Sequence, residues 1–288
     1  MQSDKCLSFY LSNGSVKGHF CRLGDSITNS LQLHEYPEKV NTLLAEMAAI
    51  SQCFSMDVKS NSHTTMQLTG TAPVKLALVN STDCQFFRCC ATMSKESPAN
   101  LNDLSIPQLF GQNGKLVFTI DFENQYYQTI VELSASTLQE CFQHYFIQSM
   151  QIPTIVILCS SVIDNKIESA ALLLQKMPSP SSAESAEADD SDIWHEASCF
   201  AATIKSHELL GSGMPMERLI ELVFGELNPV VSRETILSFK CNCSHEKILN
   251  IIKNLDSTNE DDPSNLPLEV VCEYCNKKYA IDKSEIDS

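Results

Sequence analysis

Apolar and polar residues alternate along several short stretches of residues 1–177, with turn-forming residues between them. A period of two predicts strands, and the dipeptides Asn13-Gly14 and Asp164-Asn165 predict tight hairpin turns. We therefore expect strands at 5–12, 15–23, 63–69, 73–80, 84–92, 115–121, 126–133, 154–163 and 166–177.

Helical spacing of apolar residues interrupts these strands twice. A helix is predicted to begin at Pro37, and its apolar face is formed by Val40, Leu43, Leu44, Met47, Ala48 and Ile50. A second helix is predicted from a capping box with Ser136 as N-cap and Gln139 at the third helical position. Because strands and helices mix without a regular βαβ rhythm, residues 1–177 are predicted to form an α+β domain dominated by antiparallel sheet.

The pattern changes at Pro178. Residues 178–192 are mostly Pro, Ser, Ala and acidic residues with no basic one, a composition that predicts a flexible linker. Apolar stripes at helical spacing return over 193–227, and 230–239 is β-like. We group residues 178–238 as an acidic linker followed by a helical middle region whose stripes must be buried against another part of the protein.

Residues 239–288 carry two close cysteine pairs, one near the start of this segment and one in its second half. The pairs are Cys241 with Cys243, and Cys272 with Cys275. Zinc takes four thiolates in a tetrahedron, and each short pair can supply one edge of it. We predict a small C-terminal zinc-binding domain with one Zn²⁺ per chain, in which Ser244 caps a helix and short strands flank the second pair. His245 is predicted to be a solvent-facing residue of that helix's first turn rather than a ligand.

Composition and the lack of long apolar runs indicate where in the cell the protein is found. It has 288 residues, 43% of them hydrophobic, which suffices for a substantial core. No apolar run approaches the roughly 18 residues of a membrane span, and the first residues do not resemble a signal peptide, so we expect a cytosolic protein without a membrane partner. The remaining cysteines are predicted to be reduced core thiols: Cys6, Cys21, Cys53, Cys84, Cys89, Cys90, Cys141, Cys159 and Cys199.

Charge disfavours nucleic acid as a partner. The formal net charge is -16, and acidic residues outnumber basic ones within 239–288 as well. Phosphate binding rests on Lys and Arg, so a nucleic-acid-binding zinc module or zinc-ribbon adaptor is disfavoured. The sequence also lacks a phosphate-binding glycine loop.

Spacing alone leaves three functions open for the cysteines. They could be a purely structural zinc clasp, the commonest use of such sites. They could be a redox sensor, because zinc keeps its ligands as thiolates, the species that oxidants attack. Alternatively, Cys272 and Cys275 could serve a thiol–disulfide oxidoreductase, although such CxxC motifs usually open a helix and the flanking residues here predict a hairpin.

The motif Phe239-Lys240-Cys241-Asn242-Cys243-Ser244-His245-Glu246, followed by Val271-Cys272-Glu273-Tyr274-Cys275-Asn276-Lys277-Lys278-Tyr279, resembles the heat-shock protein 33 family of redox-regulated chaperonins. Other stretches extend the resemblance over nearly the whole chain: Leu68-Thr69-Gly70, Gly114 to Leu133, Tyr145-Phe146, Leu172 to Gln175, and Glu208-Leu209-Leu210.

The resemblance implies an ATP-independent holdase chaperone rather than an enzyme. In the reduced state the four cysteines would bind zinc and the protein would be inactive. Under oxidative stress, disulfides Cys241–Cys243 and Cys272–Cys275 would form, zinc would be released, and the protein would dimerise and hold unfolding client proteins. If the middle helices pack against the C-terminal domain, its unfolding would also expose their apolar stripes.

Overall fold

A computed structural model describes residues 4–58, 62–71, 73–95, 100–111, 113–123, 125–178, 184–211, 213–256 and 268–286. The strands in these ranges are β1 (Lys5–Leu11), β2 (Val16–Leu23), β3 (His63–Thr69), β4 (Val74–Thr82), β5 (Phe86–Met93), β6 (Lys115–Phe122), β7 (Gln125–Glu132), β8 (Thr154–Ile163), β9 (Lys166–Lys176), β10 (Val230–Ile236), β11 (Ser238–Phe239), β12 (Leu268–Val271) and β13 (Lys278–Ile281). The α-helices are α1 (Asp25–Leu31), α2 (Glu38–Ser55), α3 (Ile106–Phe110), α4 (Leu138–Tyr145), α5 (Glu184–Ala201), α6 (Ser206–Leu210), α7 (Met216–Phe224), α8 (His245–Asp256) and α9 (Lys283–Ile286).

The first sheet, sheet A, has the strand order β10-β1-β2-β9-β8 and is antiparallel throughout. Both predicted hairpins are confirmed. Asp164 and Asn165 take left-handed φ values of 49° and 61°, which match the twist that a two-residue hairpin needs. The fold is therefore α+β and mainly antiparallel, as the sequence predicts.

The second sheet, sheet B, has the order β11-β5-β4-β3-β6-β7. Its pairings are antiparallel except that β11 runs parallel to β5, with Ser238 opposite Phe86 and Phe239 opposite Phe87. The sequence predicts extended chain here but not this parallel pairing, which joins residues far apart along the chain. As a result, the chain leaves sheet B immediately before Cys241.

Helix α2 lies between the two sheets and contacts strands of both. The predicted apolar face is buried, and so is the opposite side, because a sheet covers each side of the helix. Two buried polar residues of α2 hydrogen bond to sheet B: Ser51 Oγ lies 2.9 Å from Ser81 Oγ, and Gln52 Nε2 donates to the same oxygen at 2.7 Å. This layer forms the main core of the protein.

The other face of sheet A is covered by α5, α6 and α7, which form a second core with it. The fully buried strand residues Leu7, Phe9 and Phe20 meet Leu219, Ile220 and Phe224 of α7. The middle helices therefore bury their apolar stripes against sheet A. Among the residues described, they do not pack against the C-terminal cysteine region, which the sequence had left open.

Arg22 of β2 fixes the middle helices to this sheet. Its guanidinium donates hydrogen bonds of 2.6 to 2.7 Å to the backbone carbonyls of Glu208, Leu209 and Met214. Burial lowers the pKa of Arg22 to about 10, which leaves the group charged at neutral pH. Lys5 adds an ion pair to Glu217 of α7 at 2.5 Å. Charge-assisted bonds to carbonyls at the end of α6 satisfy acceptors that the helix itself leaves open.

Two local predictions are corrected. Helix α5 begins at Glu184, so residues 184–192 of the predicted linker are helical, whereas 179–183 lie outside the described residues. The linker interpretation rested on composition alone, whereas the helix is packed on sheet A farther along, at Ala197 and Ala201, and extends back into this segment. Helix α4 is capped by Thr137 rather than Ser136: the Thr137 hydroxyl accepts the Glu140 amide at 3.2 Å, and Glu140 completes the capping box.

Strand β10, which the sequence places in the middle region 178–238, pairs with β1 along the edge of sheet A. The middle region thus contributes a strand to the first domain as well as helices packed on it. None of the helices described is long and apolar enough to cross a membrane.

Candidate metal centre

The two cysteine pairs lie on either side of α8 in the sequence and meet in space. Cys241 and Cys243 follow β11 directly, and Cys272 and Cys275 occupy the turn between β12 and β13. The Ser244 hydroxyl accepts the Lys247 amide at 3.2 Å, so Ser244 caps α8 as predicted. This cap turns the chain away from the first pair and into α8.

The four sulfur atoms all lie within 4.8 Å of one another. Cys241 Sγ is 3.7 Å from Cys272 Sγ, and Cys243 Sγ is 3.4 Å from Cys275 Sγ. A zinc tetrahedron with Zn–S bonds of about 2.3 Å has edges of about 3.8 Å between sulfurs. The donor set and its spacing therefore fit one tetrahedral metal ion, with one ligand edge from each segment.

The turn that carries the second pair, which we name the knuckle (Cys272–Lys277), is closed by its own backbone. The Asn276 amide donates to Cys272 O at 2.8 Å, and the Cys272 amide donates to Lys277 O at 2.9 Å. Asn276 has a left-handed φ of 56°, a conformation that Asn tolerates better than most residues. The closed turn points both thiols to the same side of the hairpin.

Hydrogen bonds distribute charge unequally over the four thiols. Burial alone would raise the pKa of Cys243, but hydrogen bonds from Tyr279 and the neighbouring thiols outweigh it and lower that pKa to about 7. The Tyr279 hydroxyl donates to Cys243 Sγ at 3.1 Å. Burial raises the pKa of Cys241 and of Cys275, and the neighbouring thiols raise that of Cys275 further. Cys243 is thus better prepared to be a thiolate than Cys241 or Cys275.

The unit around the centre has a very small core. Helix α8, strands β12 and β13, and α9 bury only Ile248, Tyr279 and Ile281 among the residues described, with half-buried neighbours such as Cys243 and Val270. Such a core is too small to hold the unit together. A metal bound by the four cysteines would supply the stabilisation that the small core of this C-terminal unit does not provide.

His245 is confirmed as an exposed first-turn residue of α8. Its Nε2 lies 3.6 Å from a Glu285 carboxylate oxygen, and it is not among the four convergent ligands.

The knuckle docks on sheet B, a contact that the sequence does not reveal. The Tyr274 hydroxyl donates to Asn80 Oδ1 at 2.6 Å, and the Arg88 guanidinium lies 4.0 Å from the centre of the Tyr274 ring. His34 Nε2 lies 3.3 Å from Tyr274 O, and Asn276 Nδ2 donates to Leu33 O. Burial raises the pKa of Tyr274 to about 12, so its hydroxyl stays protonated and donates.

Eight of the nine other cysteines are buried, as predicted, but Cys199 on α5 is exposed, so the prediction is wrong there. Cys89 and Cys90 are neighbours on β5 and point to opposite faces of sheet B: Cys89 lies in the main core, and Cys90 points to the face on which the knuckle docks.

The predicted family resemblance is confirmed by comparison with known proteins. A family model described as Hsp33 protein matches residues 4–282. The 33 kDa chaperonin of Histophilus somni (strain 2336) is 31% identical over 289 residues, which cover 99% of this chain and 96% of that protein. The 33 kDa chaperonin of Escherichia coli (strain K12 / DH10B) is 30% identical over 288 residues, covering 99% and 94%.

The fold is shared with a solved structure. The crystal structure of the 33 kDa chaperonin (heat shock protein 33 homolog) from Thermotoga maritima superposes with a TM-score of 0.81 over 100% of this chain and 97% of that chain, at 18% identity. The names of these relatives support a chaperone function. By the match along nearly its whole length, the chain belongs to the Hsp33 protein family.

Proposed function

We propose that this protein is a redox-regulated, ATP-independent holdase chaperone, inactive with zinc bound and activated by oxidation of Cys241, Cys243, Cys272 and Cys275. The observation that carries the proposal is the convergence of four thiols within 4.8 Å on a unit that buries few side chains of its own. The proposal keeps the three regions predicted from the sequence, 1–177, 178–238 and 239–288.

In the reduced state the four cysteines would hold one Zn²⁺. Bound zinc supplies a link between two chain segments and keeps its four ligands deprotonated at neutral pH. The hydrogen bond from Tyr279 orients Cys243 and stabilises its thiolate form. The closed backbone of the knuckle orients Cys272 and Cys275. The centre therefore stabilises the C-terminal unit while leaving it chemically vulnerable.

Oxidation removes two electrons from each cysteine pair. With hydrogen peroxide, two thiolates and two protons give one disulfide, and the peroxide is reduced to two waters. The proposed bonds are Cys241–Cys243 and Cys272–Cys275. An S–S bond of about 2 Å is much shorter than the edge of about 3.8 Å between two sulfurs that share a zinc ion, so bonding within each pair would break up the tetrahedron. Sulfurs that are bonded to each other no longer serve as zinc ligands.

Loss of the centre would unfold the C-terminal unit, since structural zinc contributes on the order of 10 kcal/mol to such units. The oxidised protein is proposed to dimerise and to hold unfolding client proteins on the surfaces set free. The proposal places the protein in the cytosol, where thiols are kept reduced until stress. It assigns no nucleic acid or membrane partner.

The test is to treat reduced, zinc-loaded protein with hydrogen peroxide and to follow three quantities together. These are zinc release, disulfide pairing by mass spectrometry, and suppression of light scattering from a chemically denatured client enzyme. We expect all three to change in step and to reverse with a thiol reductant. Full suppression by the reduced, zinc-loaded protein, or none after zinc loss, would refute the proposal.

A matched control is Cys199→Ser, because Cys199 is an exposed thiol outside the centre. This variant should behave as the wild type in all three assays. The oxidoreductase alternative predicts instead that catalytic amounts of protein turn over a small disulfide substrate. It is disfavoured by the position of Cys272 and Cys275 in a turn between two strands, because oxidoreductase CxxC motifs usually open a helix.

A further inference from the structure

Sheet B has one face packed on α2 and a second face that we call the outer face. By strand alternation, the outer face carries side chains that are mostly buried or half-buried on β5, β4 and β6 and exposed on β7. They include Phe86, Arg88 and Cys90 of β5, Leu78 and Asn80 of β4, Val117 of β6, and Tyr126 and Ile130 of β7. Tyr126 is 72% exposed and Ile130 is 56% exposed.

The knuckle occupies the β4–β5 end of this face through one aromatic side chain. Tyr274 lies against Arg88 and donates to Asn80, and these two residues stand directly opposite each other on adjacent strands. They therefore form a single subsite, with a cation over the ring and an acceptor for the hydroxyl. A guanidinium stacked on an aromatic face is a favourable arrangement in partly buried surroundings.

This subsite is held by the sheet itself. Arg88 Nε donates to Asn80 Oδ1 at 3.3 Å, and Asn80 Nδ2 donates to Thr65 Oγ1 at 2.8 Å on the next strand. None of these bonds involves the knuckle. The subsite therefore keeps its shape when the knuckle leaves; Arg88 then lacks its aromatic partner, and Asn80 Oδ1 loses the shorter of its two hydrogen bonds.

The contact is coupled to the metal centre by sequence position. Tyr274 lies between the ligand cysteines Cys272 and Cys275, so the bound metal fixes the turn that presents its ring. The small core of the C-terminal unit cannot hold that turn alone. Oxidation of the centre would thus empty the subsite and uncover the β4–β5 end of the outer face, whose β7 end is already exposed.

We propose that the outer face of sheet B binds an extended segment of an unfolding polypeptide through an aromatic side chain, and that Tyr274 occupies this subsite as an internal stand-in while the metal is bound. Unfolding proteins expose aromatic side chains that folded proteins bury, so the subsite selects for the unfolded state. Apolar side chains farther along the face would contact the rest of the segment. This inference rests on the proposed function and names its binding surface.

The experiment uses a fluorescein-labelled peptide of residues 270–278 with Cys272→Ser and Cys275→Ser, which keeps Tyr274 but can neither bind zinc nor form disulfides. Its affinity for the full-length protein is measured by fluorescence anisotropy. We expect the oxidised, zinc-free protein to bind it at least tenfold more tightly than the reduced, zinc-loaded protein does. The same peptide with Tyr274→Ala should bind the oxidised protein at least fivefold more weakly, the loss expected for one cation–π contact.

Two protein variants separate this proposal from a loss of folding. Arg88→Ala in the oxidised protein should weaken peptide binding at least fivefold, whereas Arg218→Ala, which removes an exposed arginine on α7, should not. The reduced Tyr274→Ala protein should bind the peptide more tightly than the reduced wild type does, while it retains one zinc per chain. Destabilisation of the sheet would not increase peptide binding. Zinc content and circular dichroism are recorded for each variant.

Equal peptide affinity in the two redox states, or Arg88→Ala binding as the wild type does, would overturn the docking proposal. If the oxidised protein still suppresses client aggregation in that case, the proposed function stands and only the surface is wrong. If the oxidised protein suppresses no aggregation, the proposed function itself fails.

Discussion

The hydroxyl of Tyr279 donates a hydrogen bond to the sulfur of Cys243 at 3.1 Å, inside the small core of the C-terminal unit. Burial of Cys243 opposes ionisation, yet this bond and the neighbouring thiols bring its pKa down to about 7. A tyrosine from the last strand therefore helps to charge a ligand of the first cysteine pair.

Tyr279→Phe should weaken zinc binding, because removing the donor raises the pKa of Cys243 and leaves more of it protonated at a given pH. We expect about a tenfold loss of affinity, typical of residues that support a metal ligand by hydrogen bonding. The pH at which half of the zinc dissociates should rise. Competition with a chromogenic chelator from pH 5 to 8 measures both quantities; an unchanged midpoint would show that this bond does not tune the ligand.

Cys272→Ser combined with Cys275→Ser should abolish stoichiometric zinc binding, because two of the four thiolates of the tetrahedron are lost. Atomic absorption on the purified variant should give close to zero zinc per chain, against one for the wild type. Cys199→Ser serves as the control, since that thiol is exposed on α5 and should leave the zinc content unchanged. One zinc per chain in the double variant would refute the ligand assignment.

Removing zinc from the reduced protein should loosen the C-terminal unit and leave the main core intact. The Cys272 and Asn276 amides, which close the knuckle, should lose protection from hydrogen exchange. Amides of α2 should keep theirs, because the helix is buried between two sheets. Hydrogen exchange with mass spectrometry distinguishes this local change from global unfolding, which would raise exchange in both places.

Arg22→Ala should release the middle helices from sheet A. The substitution leaves three carbonyls of the α6–α7 segment without their charged donor, for an expected loss of about 2–4 kcal/mol in the free energy of unfolding. Arg22→Lys should not restore it, because one ammonium cannot reproduce the planar fork of donors. Urea denaturation measures the change, and Arg218→Ala should stay within about 0.5 kcal/mol of wild type.

Asp57 should make the free energy of unfolding depend on pH in the acid range. Burial opposes its ionisation, but the hydrogen bond of 2.9 Å with His19 and the ion pair with Lys17 outweigh it and lower the Asp57 pKa. A lowered pKa stabilises the folded state above the ordinary carboxyl pKa of about 4, and this contribution is lost as pH falls below that value. The stability difference between wild type and Asp57→Asn should thus shrink as the pH falls from 5 to below 4, as measured by urea denaturation.

Local features of the chain were largely predictable. The turn dipeptides and strand alternation identify the hairpins, and the spacing of the cysteine pairs predicts their convergence, because two-residue periodicity and tetrahedral coordination are short-range constraints. The supporting contacts were not predictable. The docking of Tyr274 on Asn80 and Arg88, and the parallel pairing of β11 with β5, join residues far apart in sequence, and no local pattern encodes them. The exposure of Cys199 likewise depends on where α5 packs.

Both edges of the cysteine tetrahedron are attached to the same sheet. The Lys240 amide donates to Phe87 O at 3.0 Å one residue before Cys241, and Tyr274 ties the second pair to β4 and β5. The chain between the pairs therefore only has to leave and return to one place. Changes of length between α8 and β12, outside the elements that supply the small core of the unit, should be tolerated at a loop-closure cost of about 0.6 kcal/mol per doubling of loop length, while the geometry of the four thiols stays the same.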